Sequence, residues 1–236
     1  MQDPQRFVAI VEALFAGPVR AAVASPAMYA APLLGAEAEG AARWTPKRRA
    51  EFAAGRAAAR VALAALGSPP QELPRRADRA PAWPAGIVGS ISHCDGCCAA
   101  VVGRRAEIAA LGFDVEVAQG LPPGLMDVVF GDAERRDLEA LAARLGRDLS
   151  PVGFSAKEAF YKCWRPLVGA FLDFGEVSLR LEAHDAGSGA FRVRVAGDGA
   201  GAAVAAAVQG RWRLADGLAF TGAAVTATAL PDGAGP

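Results

Sequence analysis

Val152-Gly153-Phe154-Ser155-Ala156-Lys157-Glu158-Ala159-Phe160-Tyr161-Lys162-Cys163-Trp164 reads as a helix that carries three charges in an otherwise apolar run. Glu158 and Lys162 stand four residues apart and face the same way; Lys157 and Tyr161 are the next such pair. Ser150-Pro151 supplies a start signal, a cap candidate followed by proline at the first helical position, and Pro166 predicts the stop. A surface helix would leave such charges in water. Here Phe154, Ala159, Phe160, Cys163 and Trp164 crowd them, which predicts a mostly buried helix whose charges look into a cleft. The plainer alternative is an intrahelical Glu–Lys pair, or a capping box between Ser155 and Glu158.

The chain around this helix has 236 residues, enough for one large domain or two small ones with a real core. Apolar residues make up 53% and charged residues 21%, the balance of a globular chain. Twenty-five basic and 25 acidic residues cancel, so nothing drives the whole chain toward nucleic acid or a membrane, and any anion site has to be local. The start lacks the basic and apolar segments of a signal peptide, and no apolar run reaches the length of a membrane span. The cysteines at 94, 97, 98 and 163 are therefore expected as reduced thiols in a cytoplasmic protein.

Upstream, residues 1–40 read as helical pieces, and residues 45–66 as a helix begun by Thr45-Pro46 and ended at Gly67. That helix carries Lys47, Arg48, Arg49, Arg56 and Arg60; Arg49, Arg56 and Arg60 share a face and read as a solvated basic stripe. Residues 68–86 are a proline-rich loop with Arg75, Arg76, Asp78 and Arg79. Strands follow at 86–93, 97–102 and 108–116, then a loop at 121–124 and a helical stretch over about 125–145. Downstream of the central helix, short strands are expected at 177–181, 191–195, 203–208, 212–214 and 218–225, with turns at Asp198-Gly199, Gln209-Gly210 and Asp216-Gly217. The tail from Pro231 is expected to be disordered. Helix-rich, strands, helices, then a meander indicates an α+β fold and not a repeating βαβ sheet. A basic helix followed by a strand set occurs twice, which hints at two similar halves.

Gly112-Phe113-Asp114-Val115-Glu116 is the sharpest chemical signal. Period two puts Asp114 and Glu116 on one face of a strand that is otherwise apolar. Two carboxylates so close raise each other's pKa unless a cation sits between them, and oxygen-only ligands suit Mg²⁺. Glu158 is the candidate third carboxylate. The alternative is an exposed edge strand whose acids prevent edge pairing. Ser90, Ser92 and His93, with the amides of the Cys94-Asp95-Gly96 turn, could hold an anion; a histidine simply hydrogen-bonded in place is the alternative. His93-Cys94-x-x-Cys97-Cys98 lacks the further ligands zinc requires, so these cysteines read as small core residues. The sequence has no Walker-type phosphate loop, dinucleotide fingerprint or nucleophile elbow.

Taken together, Gly89-Ser90-Ile91-Ser92-His93-Cys94, Gly112 to Glu116 and Phe154 to Lys162 resemble the 4′-phosphopantetheinyl transferases, in the long single-chain class of the enterobactin and surfactin enzymes. Arg48, Glu51, Gly55 and Arg56, and the Pro81-x-Trp83-Pro84 loop, also look like that class. The resemblance implies two similar α+β halves related by a pseudo-twofold, with coenzyme A (CoA) bound in the cleft between them. Residues 1–112 would form the nucleotide side, 113–230 the metal and catalytic side, and 231–236 a tail, in a monomer. The implied reaction transfers phosphopantetheine from CoA to a serine of an acidic acyl or peptidyl carrier protein and releases adenosine 3′,5′-bisphosphate.

By the same resemblance, Mg²⁺ sits on Asp114, Glu116 and Glu158, and Glu158 takes the serine proton directly or through water. Lys157 and Lys162 stabilise charge on the pyrophosphate. Arg48, Arg56 and His93 lie near the CoA 3′-phosphate, Ser92 joins them as a cofactor-binding candidate, and Arg75 or Arg76 meets the nucleotide from the loop. Leu167 to Phe174 could border the pantetheine arm and the carrier, with Arg165 and Arg104-Arg105 on a basic rim. Phe113 where the family often has Ile, Arg75 to Ala80 where a Lys-Gly pattern is usual, and Cys163 where a small residue is common are departures. The competing readings are another Mg²⁺-dependent phosphate hydrolase and a non-catalytic CoA-binding protein. They differ from the transferase in leaving no modified protein.

Overall fold

The computed structural model describes residues 4–230, so the tail expected from Pro231 on lies outside the described residues. The chain begins with helix α1 (Pro4–Ala13), strand β1 (Val19–Val23), a 3-10 turn at Pro26–Ala30, and helix α2 (Gly35–Gly40). Helix α3 (Pro46–Ala65) follows. Thr45 caps it by accepting the Arg48 N–H at 3.3 Å, and Gly67, at φ 78°, turns the chain out of it. Next come β2 (Ile87–Cys94), β3 (Cys97–Arg104), β4 (Ile108–Val117), α4 (Pro123–Val129), α5 (Asp132–Leu145) and α6 (Ser150–Val168). The chain closes with β5 (Val177–Asp185), β6 (Ser188–Val195), α7 (Ala200–Ala207), β7 (Gln209–Ala215) and β8 (Leu218–Thr226).

Two antiparallel sheets result, ordered β1-β3-β2 and β4-β8-β7-β6-β5. Helix α3 lays Ala58, Ala59, Ala62 and Leu63 on one face of the first sheet, against Ala22, Ile87, Ala100 and Val102. The other face of that sheet, with Val88, Cys97, Ala99 and Val101, packs on Phe7, Val11, Leu14 and Phe15 and on Phe113, Val115, Leu218 and Phe220 of β4 and β8. Helix α6 covers the opposite face of the second sheet, burying Ala159, Phe160, Cys163 and Trp164 against Phe191, Trp212, Ala219 and Ala223. The order of layers is helix, sheet, shared core, sheet, helix, an α+β architecture. The two sheets meet at β2 and β4, where the Ser90 hydroxyl donates to the Phe113 carbonyl at 3.2 Å.

Several expectations need correction. The first 40 residues contain β1, which pairs with β3; Val-Arg-Ala-Ala-Val is too short to show a strand period. The stretch 125–145 is two helices separated at Phe130-Gly131. Pro166 does not stop α6. One missing N–H in the last turn is tolerated, and Gly169, left-handed at φ 76°, ends the helix after Val168. Residues 203–207 belong to helix α7 and Val208 is its extended C-cap, because four alanines around Val204 favour helix over the strand expected there. Gln209-Gly210 starts β7 instead of making a turn. The basic stripe on α3 is not uniformly solvated: Arg49 is exposed, but Arg56 is buried and Arg60 donates to the buried carboxylate of Glu37 at 2.8 Å.

Gly112 sets how closely α6 crosses β4. A Cβ there would come within 2.0 Å of the Ala159 carbonyl oxygen and 2.7 Å of the Cys163 nitrogen, both helix backbone. Glu158 and Lys162 flank those two positions, so this close approach fixes their distance from Asp114. Gly112→Ala should lower the unfolding free energy by about 3 kcal/mol or more in urea titration. Gly124→Ala, where a Cβ meets nothing within 4 Å, should change it by less than about 0.5 kcal/mol.

Candidate active site

Alternation along β4 brings Asp114 and Glu116 to the same face at the strand's C-terminal end. Asp114 is only 3% exposed, so its charge has to be met by donors. Its Oδ1 accepts from Ser92 Oγ and from Lys162 Nζ, each at 2.7 Å, and its Oδ2 accepts from Ser155 Oγ at 2.8 Å. Ser155 Oγ also lies 2.8 Å from Thr221 Oγ1, whose hydroxyl reaches the Ser155 carbonyl at 2.9 Å. Lys162 Nζ in addition donates to Ser92 Oγ and the Phe113 carbonyl, each at 3.2 Å. One network thus joins β2 of the first sheet, β4 and β8 of the second, and α6. Ser155 serves this network and does not cap the helix, which starts a turn and a half earlier at Ser150.

Glu116 and Glu158 complete the cluster. Among the described residues neither has a hydrogen-bond or ion-pair partner. Burial, then the neighbouring Asp114 charge, pushes the Glu116 carboxyl up to about 7; Lys162 opposes this and Glu158 adds to it. The Glu158 carboxyl is likewise pushed up, first by burial, with Lys162 opposing and Asp114 reinforcing. Three carboxylates therefore face one ammonium, and two of them are uncompensated. That donor set, all oxygen and net negative, fits a hard divalent cation. Among the described residues no three His, Cys, Asp or Glu side chains are gathered so that they alone could hold a metal ion, so a cation here would need ligands from water or substrate. An open set of this kind suits Mg²⁺, which keeps waters and phosphate oxygens among its ligands.

A basic cluster lies further along β2. His93 Nε2 is 3.0 Å from Arg48 Nη1 and 3.3 Å from Glu51 Oε2, and Glu51 is also 3.7 Å from Arg48 and 4.0 Å from Lys47. His93, Lys47 and Glu51, with Tyr29, Cys94, Asp95 and Gly96, line a pocket of about 200 Å³. The Arg48 and Arg75 guanidiniums both approach the Trp44 ring, at 5.7 and 5.6 Å from its centre, so the loop's Arg75 is brought to α3. Arg76 instead lies near Asp78, at 3.8 Å, and is exposed.

Two expected site residues are not brought to these clusters. Arg56, 5% exposed, donates to the Leu73 carbonyl at 2.7 Å and lies over the Phe52 ring at 4.1 Å. Burial pulls its pKa down to about 10. Because Glu37 accepts the Leu73 N–H at 2.7 Å, Arg56 and Glu37 together pin the start of the Arg75 loop. Lys157, 2% exposed, points away from the carboxylates. Its ammonium meets the carbonyls of Val129, Val177 and Phe174 at 2.7, 2.8 and 3.1 Å and the Glu134 carboxylate at 2.9 Å. Burial lowers its pKa and the Glu134 pairing opposes that. The sequence does not single out Thr221 or Glu134. The lone hydroxyl of Thr221 in the buried Ala219-Phe220-Thr221 run was the available signal for the first; Glu134 had none.

The four cysteines are free thiols, and burial pushes them up to about 11 (Cys97) or about 12 (Cys94, Cys98, Cys163). No described helix is long and apolar enough to cross a membrane.

Residues 36–103 match the family model described as the 4′-phosphopantetheinyl transferase N-terminal domain, and residues 110–223 match that of the 4′-phosphopantetheinyl transferase superfamily. The chain is 43% identical over 194 residues to 4′-phosphopantetheinyl transferase Svp of Streptomyces mobaraensis, covering 82% of this chain and 78% of that one. It is 39% identical over 184 residues to 4′-phosphopantetheinyl transferase PptT of Mycobacterium tuberculosis, covering 76% and 80%. It is 37% identical over 121 residues to enterobactin synthase component D of Salmonella typhimurium, covering 50% and 49%.

Lys157→Ala should reveal a structural lysine. Glu134 and three carbonyls would lose their donor, and the unfolding free energy should fall by about 3–5 kcal/mol in urea titration. Arg76→Ala, at an exposed loop position, should change it by less than about 0.5 kcal/mol.

Proposed function

The chain belongs to the 4′-phosphopantetheinyl transferase superfamily and transfers phosphopantetheine from CoA to a carrier protein; we propose that it does so with Mg²⁺ held by Asp114, Glu116 and Glu158. The supporting observation is the pair of carboxylates, Glu116 and Glu158, that burial and the neighbouring Asp114 charge push up, with Lys162 opposing, while neither has a hydrogen-bond or ion-pair partner among the described residues. Bound there, Mg²⁺ would supply positive charge to the pyrophosphate oxygens as charge builds on the departing nucleotide.

The remaining roles belong to the chain's own side chains. Lys162, 2.7 Å from Asp114 Oδ1, stands ready to move part of its charge onto the pyrophosphate, with Ser92 beside it. Glu158, whose burial favours the protonated form, accepts the proton of the carrier serine directly or through one water. The serine oxygen then forms its bond to the phosphorus that carries pantetheine. The bond from that phosphorus to the bridging oxygen breaks, and adenosine 3′,5′-bisphosphate leaves with the electron pair. His93, at the pocket on β2 and α3, and Arg48, 3.0 Å from its ring, receive the 3′-phosphate. Arg75, which shares the Trp44 ring with Arg48, is the loop arginine that reaches the nucleotide. Arg56 and Lys157 act through position, the first by holding the Arg75 loop, the second by holding the surroundings of α6.

The two halves are read as α3 on the β1-β3-β2 sheet and α6 on the five-stranded sheet, each a long helix laid on antiparallel strands, related by a pseudo-twofold. The boundary is proposed near residue 112, close to where the chain passes from the first sheet to the second. Because both sides of the site come from one chain, a monomer suffices for activity.

Intact-mass spectrometry of an apo carrier protein incubated with this protein, CoA and Mg²⁺ tests the metal and the residues together. A gain of one phosphopantetheine that EDTA prevents is expected; a gain indifferent to EDTA would remove the metal from the account. Asp114→Ala and Glu158→Ala should lower kcat by about 10²–10⁴-fold with the circular dichroism spectrum retained. Asp78→Ala, in the loop, should leave it unchanged, and equal losses in all three would undo the assignment.

A further inference from the structure

Strands β5, β6 and β7 bury one face against α6 and α7 and leave the other bare. Alternation puts Arg180 of β5, Arg192 and Arg194 of β6, and Arg211 and Arg213 of β7 on the bare face, and all five are exposed. The register sets Arg180 directly opposite Arg192, with Arg211 opposite Ala190 and Arg213 opposite Ser188. The guanidiniums therefore spread over three neighbouring strands spaced about 4.8 Å apart.

Little within the chain answers this charge. Arg192 lies 3.4 Å from Glu182, and Arg211 donates to the Ala13 carbonyl at 3.2 Å. The Ser188 and Gly187 hydrogen bonds, and after them the Arg213 guanidinium, hold the Asp185 carboxyl below its ordinary pKa, whereas Arg180 and Arg194 have no hydrogen bond or ion pair among the described residues. Like charges directly opposed across a ladder destabilise it, yet Arg180 and Arg192 are so placed. Nor is the patch a by-product of a basic chain, since the 25 basic and 25 acidic residues cancel. Protection against edge pairing accounts for Arg180, because β5 is an edge strand, but not for four arginines on the interior strands β6 and β7.

The chemistry of the face narrows what it binds. The other side chains on it are small or polar, including Ser178, Glu182, His184, Ser188 and Gln209, with no Phe, Tyr, Trp or large aliphatic group among them. It offers no Phe, Tyr or Trp platform for bases and no large apolar group to enter a bilayer. Guanidiniums pair bidentately with carboxylates. We propose that the arginine face of β5, β6 and β7 is a docking surface for an acidic polypeptide. It is separate from the Asp114 site, because α6, which carries Glu158, covers the opposite face of the same sheet. Contacts of this kind speed and orient encounter more than they tighten it, and they weaken with salt.

The test is fluorescence anisotropy of a fluorescein-labelled decaglutamate peptide with the full chain at low salt, with CoA saturating so that the Arg48–His93 pocket is filled. The wild type should bind, and binding should fall about tenfold or more when Arg180, Arg192, Arg194 and Arg213 are all changed to Thr. Changing four exposed arginines elsewhere, Arg43, Arg136, Arg144 and Arg147, to Thr makes the same charge difference and should leave binding intact. Transferase activity on an isolated carrier protein should be unchanged in the sheet variant, which also shows that it is folded. No binding by the wild type, or equal losses in the two variants, would overturn the proposal. So would tighter binding of the wild type, through the same arginines, to a single-stranded oligonucleotide or phosphatidylserine vesicles.

Discussion

A carboxylate buried to 3% exposure has to be satisfied by its surroundings, and the surroundings of Asp114 are most of the molecule's architecture. Its two oxygens take one donor from β2, which belongs to the first sheet, and two from α6, which covers the second. Those donors reach it only because Gly112, two residues earlier on β4, lets the α6 backbone approach where any Cβ would clash. Relaxing either condition moves Glu158 and Lys162 away from Glu116. The same interaction thus holds the two sheets in register with the helix and leaves a pair of unpartnered carboxylates beside a lysine, which is the condition a divalent cation relieves.

The two lysines of α6 show how a motif can be right in composition and divided in role. Residues five apart on a helix point about 140° away from each other. Lys162 falls on the side of Asp114, and Lys157 falls on the side of Glu134 and three carbonyls. The family resemblance gives both lysines to the pyrophosphate; the five-residue offset between them, taken with the sheet on one side and Glu134 on the other, is what divides their roles. Arg56 is the corresponding case on α3. Its neighbours Arg48 and Arg49 stay at the surface, while Arg56 turns inward to pin the loop that carries Arg75.

What the chain made legible was periodic or capped. The strand period put Asp114 and Glu116 together, Thr45-Pro46 and Gly67 bounded α3, and apolar crowding marked α6 as buried. What stayed hidden depends on contacts between distant segments. Ser155 finds Asp114 across 41 residues and Thr221 across 66, and no local pattern announces either. Strand β1 is too short for its period to show, and α7 is alanine, whose helix propensity decided against the strand expected there. The arginines of the outer sheet face were each visible, but only the register of β5, β6 and β7 places them side by side.

The most direct measurement of the central claim is Mn²⁺ binding, followed by electron paramagnetic resonance in the presence of CoA, for the wild type and for Asp114→Asn. Mn²⁺ accepts the same oxygen ligands as Mg²⁺ and reports its own coordination. One bound ion per chain in the wild type, lost in a folded Asp114→Asn protein, is the predicted result. Undiminished binding in that variant would place the metal elsewhere and separate the buried Asp114 network from the chemistry.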